Sequence, residues 1–96
     1  MGNPEIQYLA QCYFHQDYDL EADSPVGIIR KFRTAEATPM VAAVREAIRV
    51  LLDSGASEQQ MAEVWLTEAG AQYDPRGDGL TVSGWLRNVV DELSGD

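Results

Sequence analysis

One apolar stripe near the C-terminus constrains the fold before anything else does. Val82, Trp85, Leu86, Val89, Val90 and Leu93 recur at steps of three and one. A helix turns once every 3.6 residues, so this spacing collects all six on one side. Thr81, just before the stripe, has the hydroxyl that caps a helix start. A helix with one apolar face must bury it against similar faces, so the rest of the chain has to supply them.

It does so four more times. Residues 5 to about 16 carry Ile6, Leu9, Tyr13 and Phe14 at helical spacing. Ser24-Pro25 starts a second helix, because serine accepts from first-turn amides and proline fits the first helical position. Ile28, Ile29 and Phe32 form its inner face, and Arg30, Lys31 and Arg33 suit the negative end of its dipole. Thr38-Pro39 repeats the start signal. The helix from there to about residue 53 presents Val41, Val44, Ile48, Leu51 and Leu52 inward and Arg45, Glu46 and Arg49 outward, with Gly55 as its stop. Ser57 with Gln60 three residues on forms a capping-box pattern ahead of Met61, Val64, Trp65 and Leu66, and Gly70 ends that helix. Tyr73-Asp74-Pro75-Arg76-Gly77-Asp78-Gly79 is turn-rich and reads as loop. The expectation is an all-α bundle of about five short helices, folded as a single domain over residues 1–96.

Composition narrows the function. Sixteen acids against seven bases give a net charge of -9. Direct binding to nucleic acid or to an anionic membrane needs a basic patch, so both are disfavoured, whereas a basic protein partner is favoured. The sole cysteine, Cys12, allows no intramolecular disulfide and no metal cluster. No signal-peptide pattern opens the chain and no apolar run approaches a membrane span, so a cytoplasmic protein is expected.

The acids are most concentrated at Asp17, Asp19, Glu21 and Asp23, one at every other position. Such a run cannot all be buried, because unpaired carboxylates are too costly away from water. It reads as a loop at the end of the first helix. Two roles stay open for it: a solvated segment that raises solubility, or a binding face for a basic surface. A calcium loop is a poor fit. Counting from Asp17, the sixth position is Ala22 and the twelfth Ile28; counting from Asp74, the third is Arg76 and the twelfth Trp85. Cys12 and His15, three apart, have the types for a nucleophile and a base, but nothing orients the base and no glycine-rich turn supplies an oxyanion site. Cys12 as a small buried hydrophobe and His15 as a helix-end cap account for them more simply. Trp65 and Trp85 lie on apolar stripes and read as core.

The segment Tyr13-Phe14-His15-Gln16-Asp17-Tyr18-Asp19 resembles the opening signature of the CdiI-type immunity proteins of bacterial contact-dependent growth inhibition systems. That family often has Trp where this chain has Tyr18. Tyr73-Asp74-Pro75, Gly79-Leu80 and Trp85-Leu86-Arg87 are similar to its C-terminal pattern, so the likeness spans about residues 8–93. The resemblance implies a non-enzymatic cytoplasmic inhibitor with no cofactor, metal, nucleic acid or membrane partner, monomeric or weakly self-associating when free. Its partner would be the C-terminal toxin domain of a CdiA-like effector. Such toxins are often nucleases with basic clefts, which an acidic antagonist would find quickly and release slowly. Near-complete protection requires nanomolar affinity or better, about -12 kcal/mol.

The resemblance leaves the interface open. Family members face unrelated toxins, so Tyr13, Phe14, His15, Asp17 and Trp85 are expected to serve the structure. The expected partner-binding residues are Asp19, Glu21, Asp23, Asp74 and Asp78, with Tyr18 and Tyr73 as aromatic anchors. The competing reading is a small acidic helical adaptor or regulatory module without a toxin partner, which would lack a large secreted effector in its gene neighbourhood.

Overall fold

The five expected helices form, and three of their start signals work as the sequence suggests. The computed structural model describes residues 4–15 and 24–94. Helix α1 runs Pro4–Tyr13, α2 Pro25–Ala35, α3 Thr38–Asp53, α4 Glu58–Ala62 and α5 Val82–Ser94, with no strand among the described residues. Ser24 Oγ accepts from the Gly27 amide at 3.1 Å, with Pro25 beside it in the first turn of α2. Ser57 and Gln60 exchange both bonds of the capping box, at 3.1 and 2.8 Å. Thr81 Oγ1 accepts from the Gly84 amide at 2.9 Å.

Several expectations need correction. Helix α1 ends at Tyr13 rather than near residue 16, although the Phe14 amide still reaches the Ala10 carbonyl at 2.9 Å. The cap of α3 is Ala37, not Thr38. The Met40 and Val41 amides bond the Ala37 carbonyl, which places Thr38 inside the helix with Pro39 next to it. Proline is tolerated there because first-turn amides have no partner inside the helix. Helix α4 lasts five residues and then widens into a π-helix over Glu63–Glu68. Its wider turn shows in the Ala69 amide, which bonds the Val64 carbonyl five residues back at 2.9 Å. The turn-rich loop contains a 3-10 turn, Pro75–Asp78, closed by Gly79 at φ +79°.

The core is one continuous cluster. Helix α5 packs against α2, α3 and α4, and α1 packs against α2, α3 and the π-helix. Its densest part is aromatic. Phe14, Trp65, Tyr73 and Trp85 stack edge to face or tilted, with ring centroids between 4.9 and 6.0 Å apart. Trp65 Nε1 donates to the Tyr73 carbonyl at 2.9 Å, and the Gln72 amide donates to the Phe14 carbonyl at 2.8 Å. The first bond ties the 71–73 segment to the π-helix, and the second ties it to the end of α1. Phe14, Tyr73 and Trp85, far apart in sequence, therefore meet, each from a segment that carries the family resemblance.

A second aromatic grouping lies where α1 meets α2. Tyr8 and Tyr13 each meet Phe32 edge-on, with centroids 6.5 and 5.1 Å away. Both hydroxyls donate to one carboxylate oxygen of Glu36, at 3.0 and 2.7 Å. Burial and the Glu36 hydrogen bond push the Tyr13 phenol up to about 12. The Glu36 bond, then burial, also raises Tyr8. The basic end of α2 is bound to α5: Arg30 pairs with the Glu92 carboxylate, and Arg33 donates to the Glu92 carbonyl at 2.8 Å.

Candidate partner-binding surface

Charge is divided sharply across the fold. The stretch from α2 into α3 carries Arg30, Lys31, Arg33, Arg45 and Arg49 against Glu36 and Glu46. From the end of α3 to the 3-10 turn, Asp53, Glu58, Glu63, Glu68, Asp74 and Asp78 are met only by Arg76. All six of these acids are exposed. The described acidic surface therefore sits on α4, the π-helix and the 3-10 turn.

That end of the molecule is also the most firmly built from polar contacts. Glu58 stands in the first turn of α4 and reaches across to α5, where its two carboxylate oxygens accept from the Val82 and Ser83 amides at 2.9 and 3.0 Å. Hydrogen bonding from Ser83 and the Val82 amide lowers its pKa, against an opposing desolvation. Asp74 accepts from the Arg76 amide at 3.0 Å and from the Arg76 guanidinium at 3.0 and 2.9 Å. The Arg76 side chain is the main reason that the Asp74 carboxyl is held low. Asp78 accepts from the Tyr73 hydroxyl at 2.9 Å.

Between these anchors lies a groove of about 540 Å³. Ala62, Leu66 and Val82 give it apolar surface, while Glu58, Gln59, Glu63, Thr67 and Arg76 supply its polar groups. A smaller hollow of about 210 Å³ lies on the opposite charge, between Arg33, Arg45, Thr38, Val41, Ala42 and Leu93. Among the described residues no three His, Cys, Asp or Glu side chains are grouped to hold a metal ion, and no helix is long and apolar enough to cross a membrane.

The residues singled out in the sequence fall into separate places. Asp17, Tyr18, Asp19, Glu21 and Asp23 lie outside the described residues. Asp74 and Asp78 are exposed; Asp74 pairs with Arg76 at the groove, and Asp78 accepts from the Tyr73 hydroxyl. Tyr73 does not fit the anchor role, because it is only 4% exposed and its ring lies 4.9 Å from that of Trp85. Phe14 and Trp85 are buried with it, while Tyr13 and His15 are half-buried. Cys12 is exposed rather than buried, since it lies on the side of α1 away from Ile6, Leu9 and Ala10. Glu58 and Glu63 were not among the sequence candidates. Glu58 opens the polar turn Glu58-Gln59-Gln60, Glu63 sits among Met61, Val64 and Trp65, and only the register of the helix shows which way such acids point.

The model of the CdiI immunity protein family matches residues 3–93. The chain belongs to that family. No curated protein matches it. In three dimensions it is similar to a chain in the crystal structure of a CdiA-CT/CdiI complex from Y. kristensenii 33638, with a TM-score of 0.88 and 18% sequence identity. The superposition covers 95% of this chain and 97% of that one, so this family member has the same fold nearly end to end. The aromatic meeting of Phe14, Tyr73 and Trp85 joins the N-terminal signature to the C-terminal pattern in one core. All three of these motif residues are buried.

Proposed function

We propose that this protein is an immunity protein that binds and neutralises the C-terminal toxin domain of a cognate CdiA-like effector. The family match over residues 3–93 carries the reading. The proposal extends to the class of toxin: a nuclease with a basic cleft, for which a net charge of -9 supplies long-range attraction. The protein acts by binding rather than by catalysis, in the cytoplasm where the toxin arrives, and needs no cofactor. Asp19, Glu21, Asp23, Asp74 and Asp78, with Tyr18, remain proposed contacts.

The test uses the toxin domain encoded beside this chain. Purified protein in slight molar excess should abolish nucleolytic activity and restore growth of cells expressing the toxin. Full toxin activity under that excess would defeat the reading. Inhibition of a toxin that cuts no nucleic acid would keep the immunity role and remove the nuclease assignment.

A further inference from the structure

We infer that the groove between the π-helix and the first turn of α5 is the docking site for a lysine- or arginine-bearing segment of the toxin domain, an inference that rests on the immunity reading above. The groove offers both parts of a specific contact. Ala62, Leu66 and Val82 give a partner apolar surface to cover, and Glu63 gives charge. Among the described residues no hydrogen bond or ion pair occupies the Glu63 carboxylate. It is therefore available to a cation, unlike Glu58, whose oxygens already hold α5.

Two further observations favour this end of the molecule over the others. The acids around the groove outnumber the bases near them, Arg76, which Asp74 holds in a bidentate pair, and Arg87, which acts on Glu58, so an incoming basic segment meets net negative charge. The α2–α3 side has the opposite balance and would repel the same segment. The π-helical backbone is the second observation. π-turns are rare and are often found where a helix has a task beyond packing. Here the wider turn carries Glu63, Leu66 and Thr67, all of which line the groove. The walls are fixed in advance by the capping box, by the Glu58 bridge and by the Asp74–Arg76 pair, so little ordering remains to be done on binding.

The experiment measures affinity of the full chain for the neighbouring toxin domain at low and moderate salt. Glu63→Lys reverses the free charge, and Thr67→Trp fills the groove; both positions are exposed, and circular dichroism confirms folding. Each variant should bind roughly tenfold more weakly or worse, with Glu63→Lys slowing association and flattening its salt dependence. Glu46→Lys on the outer side of α3 makes the same charge change elsewhere and should stay within about twofold. If wild type binds tightly and neither groove variant weakens it, the site is wrong while the immunity reading stands. If wild type does not bind the toxin domain at all, the reading beneath the site falls with it.

Discussion

Removing the Glu58 carboxylate should loosen two helices at once. Helix α5 begins with amides that have no partner inside the helix. Thr81 satisfies the Gly84 amide, and Glu58 satisfies those of Val82 and Ser83, so one side chain from α4 completes a cap that the local sequence supplies only in part. The same carboxylate lies in the first turn of α4, where the dipole also favours negative charge. Loss of a helix cap costs about 1 kcal/mol, within a range of roughly 0.5 to 2. Because Glu58 is exposed, water replaces part of the bond, and Glu58→Ala should cost about 1 to 1.5 kcal/mol. For a domain of this size that lowers Tm by roughly 4 to 12 °C. Glu63→Ala is the control, a nearby exposed acid without such bonds, and should stay within about 0.5 kcal/mol. The pH dependence has a definite sign. The folded pKa of Glu58 lies below its ordinary 4.5. Its contribution is thus complete above that value and disappears as pH falls through the lower folded one. Thermal melts of both variants between pH 3 and 7 should show the Glu58 gap closing only at the acidic end. Equal melting temperatures for Glu58→Ala and Glu63→Ala at pH 7 would refute the capping argument.

Other outcomes follow from single contacts. Trp65→Phe loses the bond to the Tyr73 carbonyl and leaves that carbonyl short of a donor, which should cost roughly 1 to 3 kcal/mol beyond the smaller ring. Trp85→Phe should cost less in denaturant titration, because the buried Trp85 Nε1 makes no hydrogen bond among the described residues. Tyr13 should ionise near pH 12 in ultraviolet titration, well above its ordinary 10, and Glu36→Gln should bring that titration down. A tyrosine held high in the folded state contributes stability below its unfolded value that is lost as pH rises through the folded one, so this contact weakens only in strong alkali. Cys12 should react promptly with a thiol reagent in the folded protein, since it is exposed, and its labelling rate therefore says nothing about catalysis.

Most of the architecture was legible because it depends on local chemistry. The apolar stripe of α5, the capping box at Ser57 and the Ser24-Pro25 start each act within one or two helical turns, and each appears as expected. What the sequence did not reveal depends on contacts made elsewhere. Nothing in Glu63-Val64-Trp65-Leu66-Thr67-Glu68 marks a π-turn; the wider winding accompanies a Trp65 whose indole bonds a carbonyl eight residues downstream. Tyr73 sits in a turn-rich loop, where exposure is the ordinary expectation, yet the end of α1 and α5 close over it. Cys12 went the other way, because helix register rather than residue type decides which side of α1 it takes. For the candidate site, acid content pointed to a negatively charged surface, but its location on α4 and the π-helix required the fold.

The division between core and surface separates the residues that hold the fold from those that face outward. Phe14, Tyr73 and Trp85 place their rings against one another, and none is more than 4% exposed. A partner cannot read them, so they can fix the fold without fixing what it binds. The groups that a partner can reach near the groove are of a different kind: Gln59, Glu63 and Thr67 project from a helical stretch whose inward side is held by Met61 and Trp65. Changing those exposed side chains leaves the buried contacts intact, and surface substitutions of that sort cost little stability. A similar fold at 18% identity is what such an arrangement permits. The scaffold is secured by a few interlocking aromatic rings, and the side chains on the outside of the helices that those rings hold in place can vary without disturbing it.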